Sequence, residues 1–371
     1  MMVAGTTPNM GHMAHDFSRN PMLVYWEMTQ ACGLACKHCR AEAMPNANPL
    51  ELSTEQSKKF LNQLLQFGNP LPHVILTGGD PLNRKDIYEL IDHAKGIGLE
   101  VSITPAATDQ LTNDAITKLK AHGIQAMGLS LDGSSAARHD NIRNVPGTFE
   151  RTMEAARHCG RIGLPIQVNT LVAEETADDL PAIYELLRTS FPVMRWSLFM
   201  LISVGRGKQL NEVSPQEGES IMKWVFDLSP HSPFQIKTTE APSYRRIAVE
   251  QMRKSNMATA DMKTTSVYRG FQVRDGHGIV FVSNLGEIYP SGFLPLHCGN
   301  VRTDSLVDIY RNSDIFRALH SPDQFHGKCG ACEYSHICGG SRARAFAYTG
   351  DALGTDPFCP YEPAHPRTVS A

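Results

Sequence analysis

No stretch of the chain approaches the roughly 20 consecutive apolar residues that a helix needs to cross a bilayer. The first 21 residues also lack the apolar run of about 7 to 15 residues that marks a secretory signal. Both absences lead to the expectation of a cytoplasmic protein with no membrane partner. An excess of either charge is missing too: 35 Lys plus Arg stand against 38 Asp plus Glu, a formal charge of −3. That balance removes any global electrostatic reason to bind nucleic acid or an anionic membrane. No internal repeat and no low-complexity tract interrupts the sequence. With 42% hydrophobic and 20% charged residues, disorder and collagen-like architecture are excluded. A chain of 371 residues is long enough for two structured units.

Cysteine is plentiful, nine in all, and unevenly distributed. Reduced cytosolic thiols that cluster point to metal or redox chemistry more than to disulfides. Cys32, Cys36 and Cys39 form one group; Cys329, Cys332, Cys338 and Cys359 form another. Between Pro21 and about Arg206, short β-rich runs alternate with amphipathic segments, the pattern of βα units around a parallel sheet. The strand candidates are Leu23 to Met28, Val74 to Thr77, Glu100 to Thr104, Ala126 to Leu131, Ile166 to Leu171 and Arg195 to Leu201. Ser53 with Gln56 reads as a helix start, and Gly98 and Gly123 as helix ends. Beyond Asn211 the sequence predicts a helix over Pro215 to Leu228, a strand over Phe234 to Thr239, a mobile loop over Glu250 to Thr265, a hairpin of Gly278 to Ser283 with Glu287 to Tyr289, and a helix over Ser305 to Leu319. The last 50 or so residues have little hydrophobic periodicity and read as a segment that a metal orders.

The unusual residues fall where strands run out into loops, which is where a βα architecture places its chemistry. Cys32-x3-Cys36-x2-Cys39 can bind three irons of a [4Fe–4S] cluster and leave the fourth open to a non-protein ligand. A zinc site would need a fourth ligand such as His38, which sits too tightly between two of the thiols. This spacing after a first strand resembles the radical SAM superfamily, and the likeness extends from about Leu23 to Tyr361. It implies an α/β fold, a partial (β/α)6 barrel related to the TIM barrel, over residues 21–230, after an N-terminal extension over residues 1–20.

Gly78, Gly79, Asp80 and Pro81 resemble the family's Gly-Gly-Glu-Pro element, whose backbone receives the methionyl amino group of S-adenosylmethionine, with Asp80 in place of the usual Glu. Ser130, Asp132 and Asn169 stand at strand ends where members contact the SAM ribose or carboxylate. Arg143 resembles the basic carboxylate partner, and Gly205 with Arg206 and Gly207 resembles the segment that cradles adenine. Each of these is also readable as an ordinary turn, cap or solvated residue.

The four C-terminal thiols resemble the auxiliary-cluster region of the SPASM and twitch branches, which implies one further [4Fe–4S] cluster within residues 231–371. A structural zinc site is the alternative. Cys298 offers the only support for a second auxiliary cluster, and Cys159 reads as buried packing. The wording of the tail, Cys329 to Ala345, and Cys298-Gly-Asn-Val-Arg302, is similar to enzymes of the alternative haem and haem d1 pathways, which cut carboxylate-bearing side chains from tetrapyrroles. The resemblance thus implies reductive cleavage of SAM to a 5′-deoxyadenosyl radical and hydrogen abstraction from a carboxylated small molecule, with a low-potential donor such as ferredoxin or flavodoxin.

A peptide maturase is the alternative, set back because only about 20 residues precede the first strand. A non-enzymatic iron–sulfur or zinc protein would leave the thiol triplet and the glycine pair unexplained. Glu240, Tyr244, Arg245 and Arg246 are the candidate substrate-binding groups, paired Arg forks being suited to carboxylate.

Overall fold

A computed structural model describes residues 15–364, apart from 263, 264, 266, 268, 269 and 271. Six parallel strands stand in chain order: β1 (Leu23–Glu27), β2 (His73–Thr77), β3 (Val101–Ile103), β4 (Met127–Ser130), β5 (Ile166–Val172) and β6 (Arg195–Met200). The sheet does not stop there. β7 (Gln235–Thr239) lies parallel beyond β6, and β8 (Ile279–Val282) lies parallel on the outer side of β1. β9 (Glu287–Tyr289) and β10 (Gly299–Asn300) continue past β8 as antiparallel strands. Residues after 230 therefore complete both ends of the arc, with β7 and β10 as its edges.

The helices α1 (Thr54–Gln63), α2 (Ile87–Gly96), α3 (Asn113–His122), α4 (Ala136–Arg143), α5 (Thr148–Ile162), the short α6 (Glu174–Ala177) and α7 (Leu180–Ser190) fill the crossovers of the six-stranded part. Their ends follow local chemistry. Ser53 and Gln56 close a capping box on α1, and Gly123 ends α3 at φ +106°. On the helix-covered face, alternate strand residues such as Val24, Trp26, Val74, Leu76, Val168, Trp196 and Leu198 are buried. Trp26 meets Phe60 of α1 edge-on at 5.3 Å. Side chains alternate across a strand, so the opposite, concave face carries Tyr25, Glu27, Thr77, Ser130, Asn169, Ser197 and Lys237.

Two expectations need correction. The polar stretch from Glu250 is not a loop at its start: α8 (Pro215–Leu228) packs against α9 (Ser243–Lys254), which buries Ile247, Ala248, Val249 and Met252. A further turn of helix covers Thr259–Met262, and residues 263 and 264 lie outside the described residues. The helix expected over Ser305 to Leu319 is two, Leu306–Asn312 and Asp314–His320. Ser313 breaks it, with extended backbone (φ −65°, ψ 144°) and a hydroxyl that caps the second helix.

The weakly periodic C-terminal region is ordered by buried charge. Arg342 donates to the carbonyls of Ala352 (3.1 Å) and Gly354 (2.7 Å), and Asp356 accepts from the Ser341 N–H at 2.8 Å. No described helix is long and apolar enough to cross a membrane.

Candidate functional site

The loop that leaves β1 is bound on every side. Gly79 N–H donates to the Thr29 carbonyl (2.8 Å) and Asp80 N–H to the Ala31 carbonyl (2.7 Å), so the end of β2 grips the loop through its backbone. This contact explains the glycine pair. A Cβ on Gly78 would stand 2.3 Å from the Thr29 oxygen, and one on Gly79 would stand 2.4 Å from the Ala31 oxygen. Gly205 backs onto the same loop: a Cβ there would meet the Arg40 oxygen at 2.6 Å, at φ +54°. Arg206 is half-buried rather than solvated; its N–H reaches the Cys39 carbonyl (3.0 Å) and its Nε the Cys36 carbonyl (3.0 Å). Glu51, which sequence reasoning missed, gathers the Thr29 hydroxyl (2.8 Å), the Gln30 N–H (3.1 Å) and the Asn284 amide (3.1 Å) on one carboxylate oxygen. Little in its surroundings along the chain marks it, because apart from the Asn48 N–H (3.4 Å) its partners lie in distant segments.

Cys36 is buried while Cys32 and Cys39 are half-buried. Each thiol faces an N–H donor: Leu34 to Cys32 (3.3 Å), Ala43 to Cys39 (3.5 Å) and the Arg143 guanidinium to Cys36 (3.8 Å). Burial pushes the Cys32 thiol up to about 11, so it stays protonated at neutral pH unless a cation pairs with the sulfur. Arg143 also pairs with buried Asp132 at 2.5 Å, and its Nε has no hydrogen-bond partner among the described residues. Burial drives Asp132 upward, but Arg143, then His38 and His139, hold its carboxyl below the usual range. The residues thus fit an iron–sulfur cluster with one donor left over at Arg143.

Asp80 is fully buried and accepts from the Thr108 hydroxyl (2.6 Å) and the Leu82 N–H (3.1 Å). Its side chain caps the turn Pro81–Asn83, which leaves the backbone of this segment as the part available to a ligand. Ser130 and Asn169 are direct neighbours across β4 and β5. Asn169 accepts from Gln167 at 2.7 Å, and the Ser130 hydroxyl makes no hydrogen bond with any described residue.

The four C-terminal thiols lie within electrostatic reach of one another. Backbone N–H groups of Asp356, Tyr334 and Gly340 point at Cys329 (3.3 Å), Cys332 (3.4 Å) and Cys338 (3.4 Å), and Arg342 donates to Cys329 at 3.3 Å. No group of three or more His, Cys, Asp or Glu among the described residues is placed to hold a single metal ion. The thiolates of a [4Fe–4S] cluster bind separate irons. Cys298 stands apart, its thiol against the Leu296 carbonyl (3.3 Å), and Cys159 is fully buried beside Met127.

The substrate candidates are not brought together. Tyr244 lies in the hydrophobic core, and Arg246 is held by Glu219 (2.5 Å) and Glu250 (3.1 Å) and covers Tyr361, so neither is free to meet a ligand. Consecutive residues of one helix diverge, and Arg245 donates instead to the Val273 carbonyl. Glu240 is bonded to the Ser341 hydroxyl (2.7 Å) and sensed by the Tyr25 hydroxyl of the concave face, and burial, with the nearby Asp275, raises its carboxyl above the usual range. Sequence reasoning missed Lys237 and Arg195, whose only signal was alternation along β6 and β7.

The chain matches the Radical SAM superfamily over residues 26–187. It is 36% identical over 348 residues to a Methanosarcina barkeri protein named AdoMet-dependent heme synthase, spanning 92% of this chain and 97% of that one. A protein of the same name from Oleidesulfovibrio alaskensis is 36% identical over 361 residues, spanning 96% of this chain and 91% of its own. The crystal structure of Streptococcus suis SuiB bound to S-adenosylmethionine has the same fold, with a TM-score of 0.69 at 15% identity over 92% of this chain and 78% of that one. With its thiol triplet gripped by a glycine pair at the mouth of a parallel arc and a cysteine-rich tail behind it, the chain belongs to the radical SAM superfamily, and it is an enzyme whose family works with a [4Fe–4S] cluster and S-adenosylmethionine.

Proposed function

We propose that this enzyme removes carboxylate from side chains of an iron tetrapyrrole. Cys32, Cys36 and Cys39 would hold the cluster, and Gly78 to Pro81, Ser130, Arg143, Asn169 and Gly205 would hold SAM. Residues 21–230 would carry this half of the chemistry. Residues 231–371 would carry one auxiliary [4Fe–4S] cluster on Cys329, Cys332, Cys338 and Cys359.

When bound, the first cluster and SAM supply a 5′-deoxyadenosyl radical that takes a hydrogen atom from the substrate. A carboxyethyl side chain that has lost one hydrogen from the carbon next to the ring, and then loses CO2, becomes vinyl and releases one electron. A cluster held by Cys329, Cys332, Cys338 and Cys359 would supply an acceptor for that electron. The N–H donors around three of its four thiols, Cys329, Cys332 and Cys338, suit thiolates that ligate a metal centre there. A low-potential donor of the ferredoxin or flavodoxin class would deliver the electron that opens the cycle, in the cytoplasm.

The observation that carries the reading is the concave strand face. A closed barrel fills its interior with layers of branched apolar side chains; here Ser130, Asn169, Ser197 and Lys237 form one cross-strand row. A polar, cation-bearing lumen suits a ligand with several carboxylates. The two relatives named as heme synthases support the same class.

The test is anaerobic reconstitution, then incubation with SAM, reductant and an iron porphyrin bearing four propionates, with product masses read by mass spectrometry. Successive losses of HCO2H from the porphyrin are expected, each matched by one 5′-deoxyadenosine, and none should occur after Cys32, Cys36 and Cys39 are replaced by Ala. A crosslinked or oxidised peptide, with the porphyrin untouched, would move the assignment to peptide maturation.

A further inference from the structure

Lys237 is a half-buried lysine on the concave face, in the middle of β7. Register places it there: Ser130 pairs with Asn169, Asn169 with Ser197, and Ser197 with Lys237, and directly paired residues share a face. Its ammonium makes no hydrogen bond or ion pair with any described residue. The charge that acts on it is another cation, Arg195 of β6. Arg195 donates to the side-chain oxygens of Gln235 (3.0 Å) and Gln167 (3.3 Å). Tyr25 of β1 also faces this space, and its hydroxyl senses both Arg195 and Glu240. Glu240, whose charge the Tyr25 hydroxyl senses, is bonded to the Ser341 hydroxyl (2.7 Å), and burial holds its carboxyl above the usual carboxylate range.

Lys237 thus shares an enclosed face with a second cation and has no standing counter-ion of its own. An ammonium taken from water without a partner is costly, and a salt bridge from a neighbouring strand would remove that cost cheaply. The sequences of β6 and β7 hold no acid, and the one acid of β1, Glu27, is taken by Arg40 at 3.1 Å. Burial, and after it Arg195, presses the Lys237 ammonium down to about 8, the direction expected of a cation awaiting an anion.

We propose that Lys237, with Arg195 beside it, anchors a carboxylate of the substrate inside the lumen. The pair replaces the Arg245 and Arg246 site, which the fold takes apart. The anchor orients the substrate by one carboxylate while another side chain faces the reacting centre, so a substrate needs at least two acidic arms. This rests on the carboxylated-tetrapyrrole reading above and names its binding group.

The experiment uses reconstituted holoenzyme as wild type, Lys237→Met and Lys237→Arg. The probes are an iron porphyrin with four propionates and its tetramethyl ester, with Kd from the porphyrin absorbance band and KM and kcat from product masses. Lys237→Met should weaken binding of the acid about ten- to hundredfold, the worth of a buried charge-assisted hydrogen bond, and raise KM in step. Its Kd for the ester should stay within about twofold of wild type, and Lys237→Arg should restore most of the acid affinity. Iron content and the unfolding midpoint establish that each variant is intact; if Lys237→Met fails to fold, Lys237→Gln serves in its place.

Equal acid affinity in wild type and an intact neutral variant overturns the inference, as does an equal loss for acid and ester. If wild type itself binds neither porphyrin, the substrate class falls and this anchor with it. That outcome is read from wild type alone, so the two failures are told apart.

Discussion

Glu240 stands where β7 runs out, in the left-handed region at φ +58°, with its carboxyl bonded to Ser341 and its carbonyl to Arg344 (2.8 Å). Asp275 and Asp356 face it with like charge, and Arg344 with opposite charge, but burial dominates and lifts its ionisation from 4.5 to about 8. The neutral form is therefore the one the fold prefers. That preference contributes fully below about pH 4.5 and is lost as pH rises through about 8. Glu240→Gln keeps the shape and cannot ionise. Urea unfolding at pH 5 should show little difference from wild type, whereas at pH 9 the variant should be the more stable of the two, the gap opening as pH rises through the raised ionisation of the carboxyl. Equal stability at both pH values would show that the carboxyl is not held neutral.

The glycine pair after β2 acts at the scale of the element, because it sets how closely one strand end approaches the next. Gly79→Ala would push a methyl to 2.4 Å from the Ala31 oxygen and 2.6 Å from the Gln30 oxygen, so the loop carrying the thiols must shift. Stability should fall by about 1 to 3 kcal/mol, as for other overpacked sites, and SAM cleavage should fall by more than tenfold while the C-terminal iron stays bound. Unchanged cleavage in this variant would mean that the close approach is not what places the loop.

Elements of this kind are legible where the signal is local. The sequence places β2 to β6 to within two residues, because each is a short run rich in apolar and β-branched residues, and β2, β3 and β4 are followed within two residues by Gly78, Pro105 and Asp132. It does not reveal α9, because Arg245, Arg246, Glu250 and Arg253 look polar along the chain and are neutralised only by partners such as Glu219 on α8. The thiol triplet and the glycine pair are legible as a site for the same local reason. Lys237, Arg195 and Glu51 are not, since their meaning comes from neighbours that only the fold supplies.

At the scale of the molecule, buried arginines tie the cysteine-rich tail to the mouth of the barrel. Arg344, 1% exposed, reaches the Leu201 carbonyl after β6 (2.8 Å), the Glu240 carbonyl after β7 (2.8 Å) and the carboxylate of Glu212 (3.3 Å), and lies over Phe358. Arg344→Met leaves two carbonyls and Glu212 without their donor, and the cost of breaking such a buried pair is about 3 to 5 kcal/mol. Arg344→Lys should recover part of this loss, because one ammonium cannot span a fork of three acceptors. Chemical denaturation midpoints at fixed slope measure both.

The same interdependence decides whether the barrel can stand without its C-terminal strands. β1 is paired on both sides, with β2 and with β8, and β6 is covered by β7. A chain ending at residue 230 loses β7 and β8 together. β1 and β6 then become edges with unpaired backbone groups, and edges of this kind recruit other chains. Glu51 loses its bond from Asn284, and Arg40 loses Phe281 and Phe293 from under its guanidinium, so the thiol loop is loosened at the same stroke. The truncated chain should therefore aggregate, or give a monomer lacking near-ultraviolet circular dichroism, even though it retains Cys32, Cys36 and Cys39. A truncated monomer with native dichroism and three-thiol iron binding would show that residues 21–230 fold alone, and that the strands beyond them only decorate a finished barrel.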